Sequence, residues 1–220
     1  MFNSVVSLGF SCYVALDLER MGIRESSYPF DWVISNFKDV VKLIDSRFKD
    51  TLLVNNIVQD SNAKNCYHDI ATGIDYYHDF FSEKGEIKEQ YNNVYSKYQR
   101  RISRFQKIGC NPTLYVRLIR NEDDLVWILN NVEYINSVIR TMCTESQVVY
   151  IVKKEIDLKQ LDLRNMMICS CKDEYHPIES CEQIKKYILS MTKMSIYRKS
   201  INQVRYIKKM IKKRIGRGVK

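Results

Sequence analysis

The sequence predicts an α/β fold, a mainly parallel sheet with helices on both faces, followed by a basic amphipathic C-terminal helix. Three observations lead there. Short apolar runs alternate with helical stretches of ten or more residues, a spacing that requires crossover connections and therefore parallel strands. The 220 residues suffice for one sizeable core, and an apolar fraction of 45% is ordinary for a globular chain. The charge is also unevenly placed: Gln183 to Lys220 holds 13 Lys or Arg and no acid, while residues 1–182 carry 22 basic against 26 acidic residues. The expected organisation is a single α/β domain over residues 1–192 and a basic helix or tail over 193–220.

Taken in order, Val5, Val6 and Leu8 form a β-branched-rich strand. Val14, Leu16, Leu18 and Met21 then recur near helical spacing until Gly22 stops the helix. Phe37 to Phe48 reads as a helix with Val40, Val41, Leu43 and Ile44 on its apolar face, and Leu52 to Val58 as a strand. Residues 59–85 are polar and irregular. Glu86 to Ile108 is strongly helical and ends at Gly109 and Pro112. Thr113 to Leu118 is a strand, Glu122 to Thr141 a helix, Gln147 to Val152 a strand and Met166 to Cys169 a short one. Pro177 to Met191 is helical again.

In the tail, Tyr197, Ile201, Val204, Met210 or Ile211, and Ile215 recur at helical spacing, while Lys and Arg cover much of the remaining circumference. Three uses fit this pattern. The apolar stripe can pack on the domain, the helix can lie on an anionic membrane surface through residues 195–220, or its cations can meet nucleic-acid phosphates. No stretch approaches the roughly 20 apolar residues that span a bilayer, and the N-terminus lacks a basic n-region and a small-residue cleavage site. Seven cysteines without a regular framework suit a reducing compartment. The expectation is a cytoplasmic protein, peripheral at the inner membrane face if the tail docks there.

The chemistry concentrates near Cys12, which falls where the first strand turns into the first helix. Unpaired N–H groups and the dipole at a helix N-terminus favour an anion, so a lowered thiol pKa and a nucleophilic role are expected for Cys12. A buried small hydrophobe is the alternative. A thiolate needs a base and a group that orients the base. His78, in an aromatic run from Ile74 to Phe81, is the candidate base; Asp31, between Phe30 and Trp32, is preferred to Asp79 as the orienting acid, because Asp79 would point to the opposite strand face. Each also has a structural reading, Asp31 as a loop brace and His78 as a core histidine. Arg117 follows an apolar strand, where it meets either an anionic substrate group or a neighbouring carboxylate.

The string SLGFSCYVALDLERMGIRESSYPFDWVIS, with Tyr77-His78-Asp79-Phe80 and Leu114-Tyr115-Val116-Arg117, resembles a bacterial family regarded as papain-like cysteine peptidases. The similarity spans about residues 4–155, and its core is S-L-G-x-x-C followed by S-Y-P-F-D-W. The resemblance implies Cys12 as nucleophile, His78 as base and a peptide substrate. It departs from papain-like sequences in lacking a glutamine before Cys12, so an oxyanion hole falls to backbone N–H groups from Phe10 to Cys12, with Gly9 and Ser11 lining the substrate position. A thiol attached directly after a strand also matches open α/β hydrolases better than the papain fold, whose histidine lies in an antiparallel lobe.

Cys169, Cys171, His176 and Cys181 come within one residue of a zinc-knuckle spacing, but Met166 to Cys169 reads as a buried strand. Gly-rich phosphate loops are missing. The sequence therefore points to a thiol-dependent hydrolase or acyl transferase acting on an acyl or peptide substrate, with no metal and no cofactor. The alternatives are a non-catalytic or glycan-pathway accessory protein at the inner membrane surface, and a small nucleic-acid-binding module.

Overall fold

The computed structural model describes residues 1–63, 65–153, 155–156, 166–193 and 196–215, the side chains of 196–199 and 213–215 excepted. The first apolar run forms β1 (Ser4–Ser7), and the helical spacing after it forms α1 (Tyr13–Arg20). Next come β2 (Val33–Ser35), α2 (Phe37–Asp45), and three short strands, β3 (Ile57–Gln59), β4 (Tyr67–Asp69) and β5 (Ile74–Tyr76). The long helix α3 (Ile87–Gly109) leads into β6 (Thr113–Ile119), then α4 (Glu122–Asn130), α5 (Val132–Met142), β7 (Gln147–Lys153) and β8 (Met167–Cys171). Helices α6 (Glu182–Met191) and α7 (Ile196–Ile215) close the described chain.

The strands make two sheets rather than one. A parallel sheet has the order β1-β6-β7-β8, as the crossover spacing predicts, and an antiparallel sheet has the order β2-β5-β4-β3. The second sheet comes from the stretch read as irregular. Its β4–β5 turn is built by Asp69, whose carboxylate accepts from Ala71 N at 3.1 Å and Leu52 N at 2.9 Å, while its carbonyl accepts from Gly73 N at 2.8 Å. Gly73 supplies the positive φ of 70° that closes the turn.

Every residue of β6 is buried, because helices or the second sheet cover both of its faces. Leu114, Val116 and Leu118 pack with Val14 and Leu18 of α1 and Ile184 and Ile188 of α6. The alternate residues Tyr115 and Ile119 face the other way, against α2, α3, α5 and the antiparallel sheet.

Several boundaries differ from the sequence reading. The stretch expected as one helix from Glu122 breaks at Asn131, whose Nδ2 donates to Trp127 O at 2.7 Å and whose backbone leaves helical values. The Asn side chain competes with the backbone for the same carbonyls. Asn121 caps α4 by accepting from Asp124 N, and Glu122, Asp123 and Asp124 complement the helix dipole. The expected strand from Leu52 begins at Ile57, after a turn of 3-10 helix over Val54–Asn56. Likewise the last domain helix starts at Glu182, not Pro177.

The C-terminal helix rests on α1 through polar contacts, while Val204, Met210 and Ile211 of its apolar stripe are exposed. Asn202 is buried and donates to Gly22 O at 3.1 Å, Tyr206 hydrogen-bonds Arg20, and Lys209 pairs with Glu19 at 2.9 Å.

Candidate functional site

The chain leaves β1 through a turn that favours glycine. Gly9 has φ 80°, and a Cβ there would lie 3.1 Å from Ser35 Oγ and 3.3 Å from Phe30 O. Ser35 N donates to Phe10 O and Leu118 N to Gly9 O, so this turn ties the two sheets together. Gly9→Ala is expected to cost about 1–2 kcal/mol from the left-handed backbone alone, with a further loss from the Ser35 contact. A thermal melt checks this, and an unchanged midpoint would contradict it.

Cys12 is the residue immediately before α1, beyond the carboxyl end of β1. The amides of the first helical turn lack intrahelical acceptors by construction, and the Cys12 side chain does not cap them. Against the sequence expectation, the thiol pKa is raised: half-burial disfavours the thiolate more than the local backbone hydrogen bond favours it. Alkylation of Cys12 should therefore quicken about tenfold per pH unit to a midpoint above the ordinary thiol value of about 8.5. At neutral pH, exposed Cys110 should be modified first. Peptide mapping of the iodoacetamide-treated protein checks both; faster labelling of Cys12 at pH 7 would contradict the raised pKa.

Around Cys12 stand residues from the other carboxyl-end loops. Tyr13 meets Tyr175 edge-on at 5.0 Å, and Arg120 lies 5.0 Å from the Phe10 ring. Arg120 holds Glu174 through two bonds of 2.7 and 3.1 Å. Glu174 also borders a polar cavity of about 250 Å³ with Lys153, Glu155 and Asp173. The sequence reading named Arg117 and passed over Arg120, which is the first cation beyond the end of β6 at Ile119.

Arg117 turns inward instead and is fully buried. Its guanidinium donates to Leu8 O at 3.0 Å, Ser35 Oγ at 3.3 Å, Ser35 O at 2.7 Å and Asp124 Oδ2 at 2.6 Å. Asp124 Oδ1 accepts in turn from Phe37 N at 2.9 Å. Burial lowers the Arg117 pKa and Asp124 opposes that. This constellation is a clamp between the sheets, with no surface for a substrate anion to reach.

Asp31 is likewise enclosed. One carboxylate oxygen accepts from Arg24 Nη2 at 2.6 Å, Arg24 Nε at 3.1 Å and Tyr28 N at 2.8 Å. Burial pushes its pKa up, with Arg24 the main opposing influence. The hydrogen bonds of Asp31 therefore brace the loop that carries Trp32, and none of them goes to a histidine.

His78 lies two residues past β5 and is exposed; its described contact is the Trp32 ring, edge-on with centroids 6.4 Å apart. Arg24 and Lys209 also approach Trp32, at 5.5 and 5.8 Å. The other histidines are engaged elsewhere: His68 with Asp75 at 2.6 Å, and His176 with Arg20 and Asp17. Among the described residues, then, no histidine hydrogen-bonds Cys12. Cys12 follows a strand of the parallel sheet and His78 a strand of the antiparallel one.

Among the described residues, the four of knuckle-like spacing do not come together as one group. Cys169, Cys171 and Cys181 are buried, with Cys169 hydrogen-bonded to Cys181 and its pKa pushed up to about 11 by burial and that neighbour. His176 instead joins Asp17 and Glu179, the one group among the described residues whose ligand atoms are close enough to hold an ion. Arg20 already lies inside that group, 3.3 Å from Asp17 and 3.8 Å from Glu179. The Asp17 carboxylate also accepts from Ile178 N and Glu179 N, so its work is to pin the 176–180 turn onto α1.

The family described as "Putative papain-like cysteine peptidase (DUF1796)" matches residues 3–156. "Uncharacterized protein R408" of Acanthamoeba polyphaga mimivirus is 27% identical over 119 residues, covering 46% of this chain and 53% of the viral protein. The chain thus spans about half the length of that relative. No solved structure matches. The family match takes in Gly9, Cys12, Asp31, His78 and Arg117 but stops before β8, the His176 turn and α7.

Proposed function

The chain belongs to the DUF1796 family, and on that premise we propose that it is a thiol hydrolase or acyl transferase whose nucleophile is Cys12. One observation carries the reading: a half-buried thiol at the start of a helix, beyond the carboxyl end of a parallel strand, next to a tight positive-φ glycine turn. Open α/β sheets bind ligands at that edge.

In the proposed reaction the Cys12 sulfur attacks an acyl carbonyl and its proton passes to His78. The new C–S bond forms as the carbonyl π-bond opens, and amides from Phe10 to the first turn of α1 receive the oxyanion. Collapse expels the amine or alcohol, which takes the proton from His78. Water or an acceptor then cleaves the thioester and regenerates the thiol. Because the thiol pKa is raised, Cys12 rests protonated and needs its base at the moment of attack. His78 must move to serve, and an exposed side chain resting edge-on against the Trp32 ring has that freedom. Asp31 contributes by fixing Trp32, the surface on which His78 rests. Ser11 Oγ, buried and without a partner among the described residues, and the Gly9 turn line the substrate side. The peptide bond as substrate follows the family's description, and all seven cysteines being unpaired favours a reducing, cytoplasmic setting.

A second reading has one observation in its favour: each histidine contacts something other than Cys12. On that reading the protein is a non-catalytic accessory protein and Cys12 packs. Turnover of a panel of thioesters and activated peptide esters by the full chain and by Cys12→Ala separates the two. Activity lost with the sulfur supports the enzyme; equal turnover by both proteins supports the accessory role.

A further inference from the structure

Helix α7 meets α1 by its polar side and turns an apolar ridge the other way. Asn202, Tyr206 and Lys209 face α1, bonding Gly22, Arg20 and Glu19. Val204, Ile207 and Ile211 are 50%, 54% and 52% exposed, and at about 100° per residue they fall on the side opposite Asn202. Lys208 and Lys212, both exposed, run along one side of this ridge. No acid follows Glu182. A helix that only packed on its domain would bury the ridge and expose the lysines.

We propose that this outward face of α7 docks the protein on an anionic lipid bilayer. The aliphatic side chains enter the acyl boundary and the lysines meet the headgroup phosphates, the arrangement of an interfacial amphipathic helix. Charge decides against the other occupants. A second copy of the same face would set Lys208 and Lys212 against their equivalents, and nucleic-acid phosphates would engage the lysines while leaving the ridge in water. The inference stands apart from the Cys12 chemistry.

The test is co-sedimentation of the full chain with phosphatidylcholine vesicles, with and without phosphatidylglycerol. Binding is expected to the anionic vesicles and to weaken with salt. Ile207→Glu with Ile211→Glu, and separately Lys208→Glu with Lys212→Glu, should each weaken it by at least about tenfold. Both pairs are exposed, so the melting temperature should hold. Four results would each overturn the proposal: no binding to anionic vesicles, equal binding to neutral ones, retention by the double-Ile variant, or self-association of the chain that the double-Ile variant abolishes in place of vesicle binding. Tight duplex binding that survives the double-Ile change while vesicles stay unbound would assign the tail to nucleic acid instead.

Discussion

Arg117→Met is expected to lower the melting temperature by roughly 6–20 °C. Methionine keeps the length of the side chain but removes the donors to Leu8 O, Ser35 O, Ser35 Oγ and Asp124. Asp124 then remains as a buried carboxylate held by Phe37 N and without its cation. Breaking one half of a buried ion pair costs about 3–5 kcal/mol, and each kcal/mol shifts the midpoint by about 2–4 °C in a domain of this size. Arg117→Lys should recover only part of the loss, because one ammonium cannot reach acceptors on three segments. Adding Asp124→Asn to Arg117→Met should cost less than the sum of the two changes, since no lone charge is left. A midpoint within 2 °C of the parent, read by thermal denaturation with the usual scaling of about 2–4 °C per kcal/mol, would contradict the clamp.

The second large effect concerns the proposed catalytic pair. Cys12→Ala, His78→Ala and the double variant are each expected to lose about 10²–10⁴-fold in acyl turnover, with the double variant no worse than the worse single. Members of one catalytic unit fail together. His78 is exposed and rests edge-on against the Trp32 ring, so His78→Ala should leave the melting temperature nearly unchanged. Losses that multiply would show two independent effects, and a His78→Ala protein that keeps full turnover would remove the base.

How much of this was legible in the sequence depends on the length of each signal. The parallel strands were readable because Val5–Leu8, Thr113–Leu118 and Gln147–Val152 are apolar runs bounded by clear breakers. The antiparallel sheet was not, since three-residue strands such as Tyr67–Asp69 and Ile74–Tyr76 are too short to establish a period. The helix break at Asn131 is a competition between one side chain and the backbone, invisible to periodicity.

For the site, the sequence located Cys12 at its strand-to-helix turn but not the burial that raises its pKa; helix-end electrostatics and desolvation act in opposite directions, and only packing says which wins. Arg117 and Asp31 were recognisable as charged residues in apolar settings. Their partners, Asp124 and Arg24, each lie seven residues away, and the fold brings them together. In the tail, spacing revealed an apolar stripe but not which face turns inward. That was decided by Asn202 and Lys209 finding partners on Gly22 and Glu19.

The most direct measurement is the intact mass of the protein after brief exposure to an activated acyl ester, followed by peptide mapping of the adduct. Nucleophilic catalysis at Cys12 predicts one acyl group per chain, placed on the peptide containing Cys12, formed faster than at exposed Cys110 and discharged by hydroxylamine. His78→Ala should slow its formation. An adduct confined to Cys110, or spread over the accessible thiols in proportion to their exposure with Cys12 untouched, would contradict the account.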